Sequence, residues 1–477
     1  MSLRDDAIAI WKAGVTAVDS SLAVERQIIA TNDELQIAGV HISLLSASRI
    51  EIVGAGKAGA GMASGVETAL LPTKFADQIS GWVNVPADCV RNLKHIHLHA
   101  ARPAGINEPT QEAVEGTAEI LRRVQSLSES DVCIMLLSGG ASALLCSPIP
   151  GITLHDKLLV TRALAGAGAP IHELNLVRTQ LSQVKGGRLA AACRAGTLIA
   201  LIISDVIGDP LDVIGSGPTT PSKSRATDAI GALRSRNLLD KIPLTVIAFL
   251  EQQAEREESI ADDGLHPQTR TLVNRIVASN AIAIDAASAK ATSLGYIAES
   301  LGSANAGEAS DEGRQLIHRL LNKPSQSTMR PYHAEINEPR RICVLSGGEP
   351  TVNLSVGRDA AKATATDSNA PVRGGRNQEL VLAAIAEYRD PADWKNAVLL
   401  SAGTDGEDGP TDAAGAIADE RLVRRISQSK LDLNQYLARH DSYHFFDAVD
   451  GLLKTGPTHT NVMDLRVGLC VNSDPQD

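Results

Sequence analysis

The sequence predicts an α/β protein of two domains: an N-terminal Rossmann-like parallel sheet sandwiched by helices over residues 1–260, and a smaller C-terminal α/β domain over residues 261–477. Three observations carry that expectation. At 477 residues the chain exceeds a usual single-domain length by a factor of roughly two to three. Its apolar residues come in short runs, each closed by a glycine turn and followed by an Ala/Leu-rich helical stretch, the order that builds parallel sheets. Aromatic residues make up 3% of the chain against 39 glycines, so the cores must be filled by Ala, Leu, Ile and Val, which suits packed α/β layers.

The elements follow in chain order. Residues 49–53 (RIEIV) read as a buried strand, followed by a glycine loop and a helix of small residues through position 71. Further strands are expected at 81–85, 132–137 and 197–203, each ended by turn residues and followed by a helical pattern. Residues 250–270 become charged and irregular and hold a Gly/Pro connection, which places the domain boundary at 260/261. An Ala-rich helical stretch at 277–294 opens the second half, and the runs 341–345, 380–388 and 397–400 supply the rest of a second α/β unit, with the last strand region free to pack back on the first domain. Residues 357–375 are poor in large apolar side chains and read as a mobile loop or insertion.

Composition excludes several functions. The 45 basic residues against 56 acidic ones give a net charge of -11, which repels a nucleic-acid backbone unless a local basic patch offsets it. Cys89, Cys133, Cys146, Cys193, Cys343 and Cys470 show no short pairing, so neither a zinc knuckle nor a disulfide framework is expected, and a reducing cytoplasm fits. No apolar stretch approaches the ~18 residues of a membrane helix, and the opening residues lack the apolar core of an export signal. Neither nucleic acid nor membrane is expected as a partner; an oligomer is allowed.

The chemistry-bearing residues lie in glycine-rich turns. Gly54, Gly56 and Gly59 of VGAGKAGAGMA fit GxGxxG directly after a strand and at a helix start, where backbone amides can approach a phosphate. A dinucleotide site also wants an acidic residue closing the second strand, yet Asp77 precedes residues 81–85 and Asp88 follows Pro86, which weakens a nicotinamide site. Lys57 inside the loop directs charge toward an anionic ligand, the alternative being a solvated surface lysine. In the second turn Ser138, Gly139, Gly140 and Ser142 offer amides and hydroxyls to a phosphoryl group, or Ser142 is simply a helix cap. The absence of GxSxG there disfavours a serine hydrolase. Asp205 closes the strand at 197–203, at the end where open α/β sheets bind ligands, while Asp209 and Asp212 follow in the same loop.

In the second half, LSGGEPT carries Glu349, and Arg376 of GGRNQE stands near a helix N-terminus, a mismatch with the dipole that an anion would compensate. The run SAGTDGEDGPTDAAGA carries Asp405, Glu407, Asp408 and Asp412 and suits a hard cation or a polar substrate, though it lacks the EF-hand pattern and a solvated acidic loop is the alternative. His95, His97 and His459 lack the companions a metal site needs.

Taken together, GAGKAG, LLSGGASALL, NLVRTQLSQVKGGRLA, SDVIGDPLDVIGSGPT, LSGGEPTV, GGRNQEL, SAGTDGEDGPTDAAGA and KTGPTHTNVMDL resemble the two-domain glycerate 2-kinase family of MOFRL type, some members of which are labelled hydroxypyruvate reductases. The motifs run in order from about residue 50 to residue 470. The resemblance implies ATP-dependent phosphorylation of D-glycerate at its 2-hydroxyl, with Mg²⁺, in a cleft between a Rossmann-like domain and a MOFRL-like domain. It implies Lys57, Asp205 and Arg376 as the charged groups of that site. Gly54, Gly56, Gly59, Ser138, Gly139, Gly140 and Ser142 would then hold nucleotide or phosphate. Glu349, Asp405, Asp408 and Asp412 would form the substrate or metal loop, with Asp205 or Asp405 on the metal. Where the family shows Gly-His-Pro, this chain has Ala101, Arg102 and Pro103, and Arg102 is itself able to bind an anion. The competing activities are an NAD(P)H-dependent hydroxypyruvate reductase and a non-catalytic sugar-acid binder.

Overall fold

In the computed structural model, which describes residues 2–31, 34–43, 48–259, 271–321, 340–354 and 372–472, the chain divides into two units, Ser20–Ala278 and Met1–Asp19 with Ser279–Asp477. The division falls at 19/20 and 278/279 rather than at the expected 260/261. Two elements account for the difference: a strand just past residue 270 joins the first sheet, and the N-terminal helix joins the second.

The unit Ser20–Ala278 begins with a small antiparallel sheet of β1 (Ile28–Ala30), β2 (Leu35–Ile37) and β3 (Val40–Ile42). Its main sheet contains β4 (Ile50–Ala55), β5 (Ile79–Pro86), β6 (Ile96–Arg102), β7 (Val132–Leu137), β8 (Thr197–Ile203) and β9 (Thr271–Ala278), in the order β6-β5-β4-β7-β8-β9. Every neighbouring pair is parallel. Counted along the chain this is the doubly wound order 3-2-1-4-5-6, which reverses direction between β4 and β7 and leaves a crevice at their carboxyl ends. Those two strands end level, Ala55 opposite Leu137. Both are buried along their full length; β7 therefore reads as an unbroken apolar run, whereas in β4 the buried Glu51 is paired with Arg123 Nη1 at 2.7 Å. β9 escaped detection because Asn274 and Arg275 interrupt its apolar residues, as an edge strand allows.

The second unit is a mixed sheet of β10 (Ile297–Ser300), β11 (Arg340–Gly348), β12 (Ala397–Gly403), β13 (Gly415–Asp419), β14 (Leu452–Leu453) and β15 (Asp464–Asn472), ordered β10-β11-β15-β12-β13-β14. β10 and β11 are parallel, and β15 runs antiparallel to both β11 and β12. The last strand is therefore a central strand of this sheet. It is the N-terminal helix Leu3–Ala17 that crosses in sequence: Ala7, Ile10 and Trp11 pack with Leu465, Val467 and Leu469 in one apolar core. Its buried Asp6 accepts hydrogen bonds from the Tyr296 hydroxyl at 2.7 Å and Arg341 Nη2 at 2.8 Å, so a polar group on the apolar face is satisfied. The helix expected at 277–294 spans Asn280–Ser293, its first expected residues being the end of β9. Of the loop expected at 357–375, residues 357–371 lie outside the described residues, and 372–375 lead into the helix Arg376–Glu387.

Candidate active site

The first glycine turn, after β4, is closed to a ligand's phosphate. Its amides are already used: Gly56 N donates to Asn84 O at 3.1 Å, Lys57 N to Gly139 O at 2.9 Å, Ala58 N to Ser138 Oγ at 3.1 Å and Gly59 N to Gly56 O at 3.1 Å. The glycines serve close packing instead. A methyl on Gly54 would overlap the Leu136 carbonyl, one on Gly56 (φ +150) would overlap Ser138 Oγ, and one on Gly59 would meet Val83 Cγ1 at 2.9 Å. The assignment of Gly54, Gly56 and Gly59 to phosphate binding is therefore corrected: they bind the turn to β7 and the following helix to β5. Ser138 likewise spends its hydroxyl on Ala58 N and its amide on Ala55 O.

The second turn, after β7, differs. Among the described residues the amides of Gly139, Gly140 and Ser142 donate no hydrogen bond to protein, and Gly140 sits in the left-handed region at φ +79. Charged side chains gather on this turn. A methyl on Gly139 would overlap the Asp205 carboxylate, and one on Gly140 would lie 3.3 Å from Arg102 Nη2 and 3.4 Å from Lys57 Cγ. Asp205 follows β8, which pairs with β7, so adjacent strands deliver the carboxylate and the free amides to one end of the sheet. Lys57 and Asp205, two of the three residues singled out from sequence, thus meet on one turn.

Arg102 completes this cluster. It closes β6, is 4% exposed, and donates from Nη1 to Ile106 O and to Asn107 Oδ1 at 3.0 Å, while its Nε is buried without an acceptor. Burial lowers its pKa, opposed by Asp88 and Cys89. Ser142 is not merely a cap: its Oγ accepts from Lys185 Nζ at 2.9 Å and from Arg178 Nη2. Sequence reasoning gave Lys185 and Arg178 no role, although both lie in the motif NLVRTQLSQVKGGRLA. An arginine in a helix and a lysine in the turn after it usually read as solvated, and nothing local announces their burial.

In the second unit Arg376 has found its counter-charge inside the protein. Nε and Nη2 grip the two oxygens of Asp464 at 2.7 and 3.1 Å, and Nη1 reaches Glu349 Oε1 at 2.8 Å. Burial works against the guanidinium charge, but the two carboxylates outweigh it and raise its pKa. The helix-dipole mismatch read from sequence is resolved by these carboxylates. Asp464, fully buried, also lies 4.0 Å from Arg466, whose Nη1 donates to Ser346 Oγ at 3.0 Å. Asp464 and Arg466 were missed because, as residues of a strand otherwise apolar, they carry no turn signature.

The acidic loop does not converge. Asp408 is 2% exposed and caps the helix Arg376–Glu387: Oδ1 accepts from Asn377 N at 3.0 Å and Oδ2 from Gln378 N at 2.8 Å, with the room supplied by Gly375. Asp412 is exposed and bonds Tyr443 OH at 2.7 Å and Lys454 Nζ at 3.1 Å. Asp405 Oδ1 accepts from Glu407 N at 3.1 Å within its own turn. The structure gives Asp408 a capping role and Asp412 a surface ion pair in place of a shared substrate or metal loop. Among the described residues no three His, Cys, Asp or Glu side chains group as a metal site; His97 and His99 stack against Trp82 at 4.2 and 5.1 Å between ring centroids.

Burial, with Asp464 adding to it, raises the Asp408 pKa to about 7 against the pull of the Asn377 and Gln378 amides. A carboxyl that holds its proton in the folded state but not in the unfolded one stabilises at low pH and loses that contribution between its unfolded value of 3.8 and about 7. Stability of this unit should therefore fall by as much as about 4 kcal/mol over that window. Urea unfolding of Asp408→Asn should show this slope flattened, so the variant compares better with the parent at pH 8 than at pH 5; an unchanged slope would refute the assignment.

The chain is similar to known proteins along nearly its whole length. Residues 342–464 match the MOFRL family, and residues 6–251 match a domain of unknown function (DUF4147). A glycerate kinase of Danio rerio is 34% identical over 519 residues, covering 100% of this chain and 99% of its own. The Homo sapiens glycerate kinase is 33% identical, covering 98% and 93%, and a glycerate 2-kinase of Pyrococcus horikoshii is 32% identical, covering 98% of each. The crystal structure of a glycerate kinase from Thermotoga maritima superposes with a TM-score of 0.77 at 30% identity, covering 98% of this chain and 99% of that one. These names do not favour the reductase alternative, and β5 ends at Pro86 without the carboxylate that a dinucleotide ribose needs. With relatives of at least 30% identity aligned along nearly its entire length, this chain belongs to the glycerate kinase family.

Proposed function

We propose that the protein phosphorylates D-glycerate at its 2-hydroxyl with ATP, giving 2-phosphoglycerate and ADP. One observation carries this reading: the free amides of Gly139, Gly140 and Ser142 share one turn with Lys57, Arg102 and Asp205 at the switch point of the sheet. Phosphoryl transfer asks chiefly for positioning and for neutralisation of charge on the moving group, and this turn supplies both. The amides and the Lys57 ammonium stabilise the equatorial oxygens of the phosphoryl group. Asp205 orients or deprotonates the acceptor hydroxyl, or holds the metal. Mg²⁺ ordinarily takes one or two carboxylates plus substrate phosphates, a donor set that Asp205 beside an oxyanion turn fits, with Asp405 the alternative; bound there, it would neutralise phosphate charge.

Arg376 has three of its five N–H donors engaged by Asp464 and Glu349, which leaves two to meet an anionic ligand. The six cysteines stand as free thiols, in keeping with a cytoplasmic location. The test is glycerate-dependent ADP formation, with the phosphorylated position read by phosphorus NMR, run beside hydroxypyruvate-dependent NADH consumption. ADP formation with a 2-phosphate product is expected; NADH consumption alone, or saturable glycerate binding without turnover, would replace the kinase reading.

A further inference from the structure

Around the second glycine turn lie three basic side chains that have no carboxylate counter-charge among the described residues. Lys185 Nζ, 2% exposed as a residue, donates to Ser142 Oγ at 2.9 Å, Ser142 O at 3.2 Å, Gly215 O at 3.2 Å and Ser216 Oγ at 3.3 Å. Arg178, from the helix Ile171–Gln180, donates to the same Ser142 Oγ. Lys157, from the helix Leu154–Gly166, is 6% exposed and its Nζ is buried with no hydrogen-bond partner. Among the described residues none of the three forms an ion pair with a carboxylate.

Protein interiors rarely tolerate this. Burying one unpaired cation is costly, and three close together add mutual repulsion to the desolvation. Burial lowers the pKa of both lysines, Arg178 lowers each further, and the group opposing this at all three cations is the Cys146 thiol rather than a carboxylate. A fold built for stability alone would place an acid or an apolar side chain here. Ser142 and Arg178, by contrast, are only partly buried, so the cluster reaches solvent through them.

We infer that Arg178 and Lys185, which share Ser142 as a contact, form with the unpartnered Lys157 a binding pocket for a phosphoryl group, roofed by the free amides of Gly139, Gly140 and Ser142. A carboxylate carries one charge in a plane and would leave two cations uncompensated. A phosphoryl group brings about -1.5 to -2 charges and three strong acceptor oxygens, enough to meet several donors arranged in three dimensions. The inference rests on the kinase reading only for the origin of that group, the donor or the phosphorylated product. Lys185 acts through Ser142, Gly215 and Ser216 as a positioning residue, tying the second turn to the loop that follows β8.

The test uses the full chain and inorganic phosphate, with acetate as the carboxylate arm, at constant ionic strength. Phosphate is expected to raise the thermal unfolding midpoint saturably, and acetate at equal concentration is not. Lys157→Met should weaken apparent phosphate affinity about tenfold or more while raising the midpoint in the absence of phosphate, a gain that a merely structural lysine would not give. Arg178→Gln, nearer the surface, should weaken phosphate by a similar factor and carries the test if Lys157→Met does not fold. A phosphate response that is absent in the parent, equalled by acetate, or unchanged in the folded variants overturns the pocket. Glycerate-dependent ADP formation by the parent is scored separately, so loss of the pocket and loss of the kinase reading are distinguishable.

Discussion

Lys57→Met should lower kcat/KM for glycerate phosphorylation by about 10²- to 10³-fold, the usual loss when one preorganised charge or donor is removed from a transition-state site, and leave the unfolding midpoint unchanged. The two halves of this expectation have separate causes. Lys57 is exposed, its side chain lies against Gly140, and its backbone amide, which a substitution retains, makes the structural bond to Gly139 O. Folding therefore asks little of the ammonium. Asp205→Asn should give a loss of similar size, because an amide is neither a base nor a good hard-cation ligand. A steady-state assay with circular dichroism on the same samples decides the matter: near-parental kcat/KM in both variants removes the turn after β7 from the reaction.

What could be read from the sequence, and what could not, divides along a physical line. β7 and β8 were placed to the residue because strands buried on both faces are continuous apolar runs. Asp205 was legible because the carboxyl end of such a strand is where open sheets bind ligands. The GxGxxG spacing was legible as a site of close backbone approach, yet the spacing does not say what approaches. Here it is Ser138 Oγ and the Leu136 carbonyl, so a phosphate-binding signature turned out to be a packing device. Asp408 illustrates the same limit: an acid among glycines reads as a cation or substrate ligand until the helix whose amides it caps, some 30 residues away, is known. The N-terminal helix Leu3–Ala17 gave no sign of its partner, because an amphipathic helix shows which face is buried and not which sheet covers it. The basic residues around Ser142 were invisible for a stronger reason, since what sets them apart is that none of them meets a carboxylate among the described residues, a fact of three-dimensional arrangement alone.

Arg376 shows how an apparent active-site cation can be part of the architecture, and its replacement should not leave the fold intact. Arg376→Ala strands Asp464, fully buried, with Arg466 at 4.0 Å as its remaining cation. Removing one partner of a buried ion pair typically costs about 3–5 kcal/mol, because the other charge stays desolvated. The urea midpoint of the second unit should fall accordingly, and Asp464→Asn introduced on top should recover part of the loss, since it removes the stranded charge. That recovery is the diagnostic: an arginine that only contacts substrate would show none, its loss being silent in unfolding. Arg376→Lys then separates stability from chemistry. It keeps one positive charge between Asp464 and Glu349 but cannot hold both Asp464 oxygens while offering further N–H groups in a plane. A folded Arg376→Lys enzyme with kcat/KM reduced at least about tenfold would assign the leftover N–H donors to the reaction, whereas full activity would confine Arg376 to holding Asp464 and Glu349 in place.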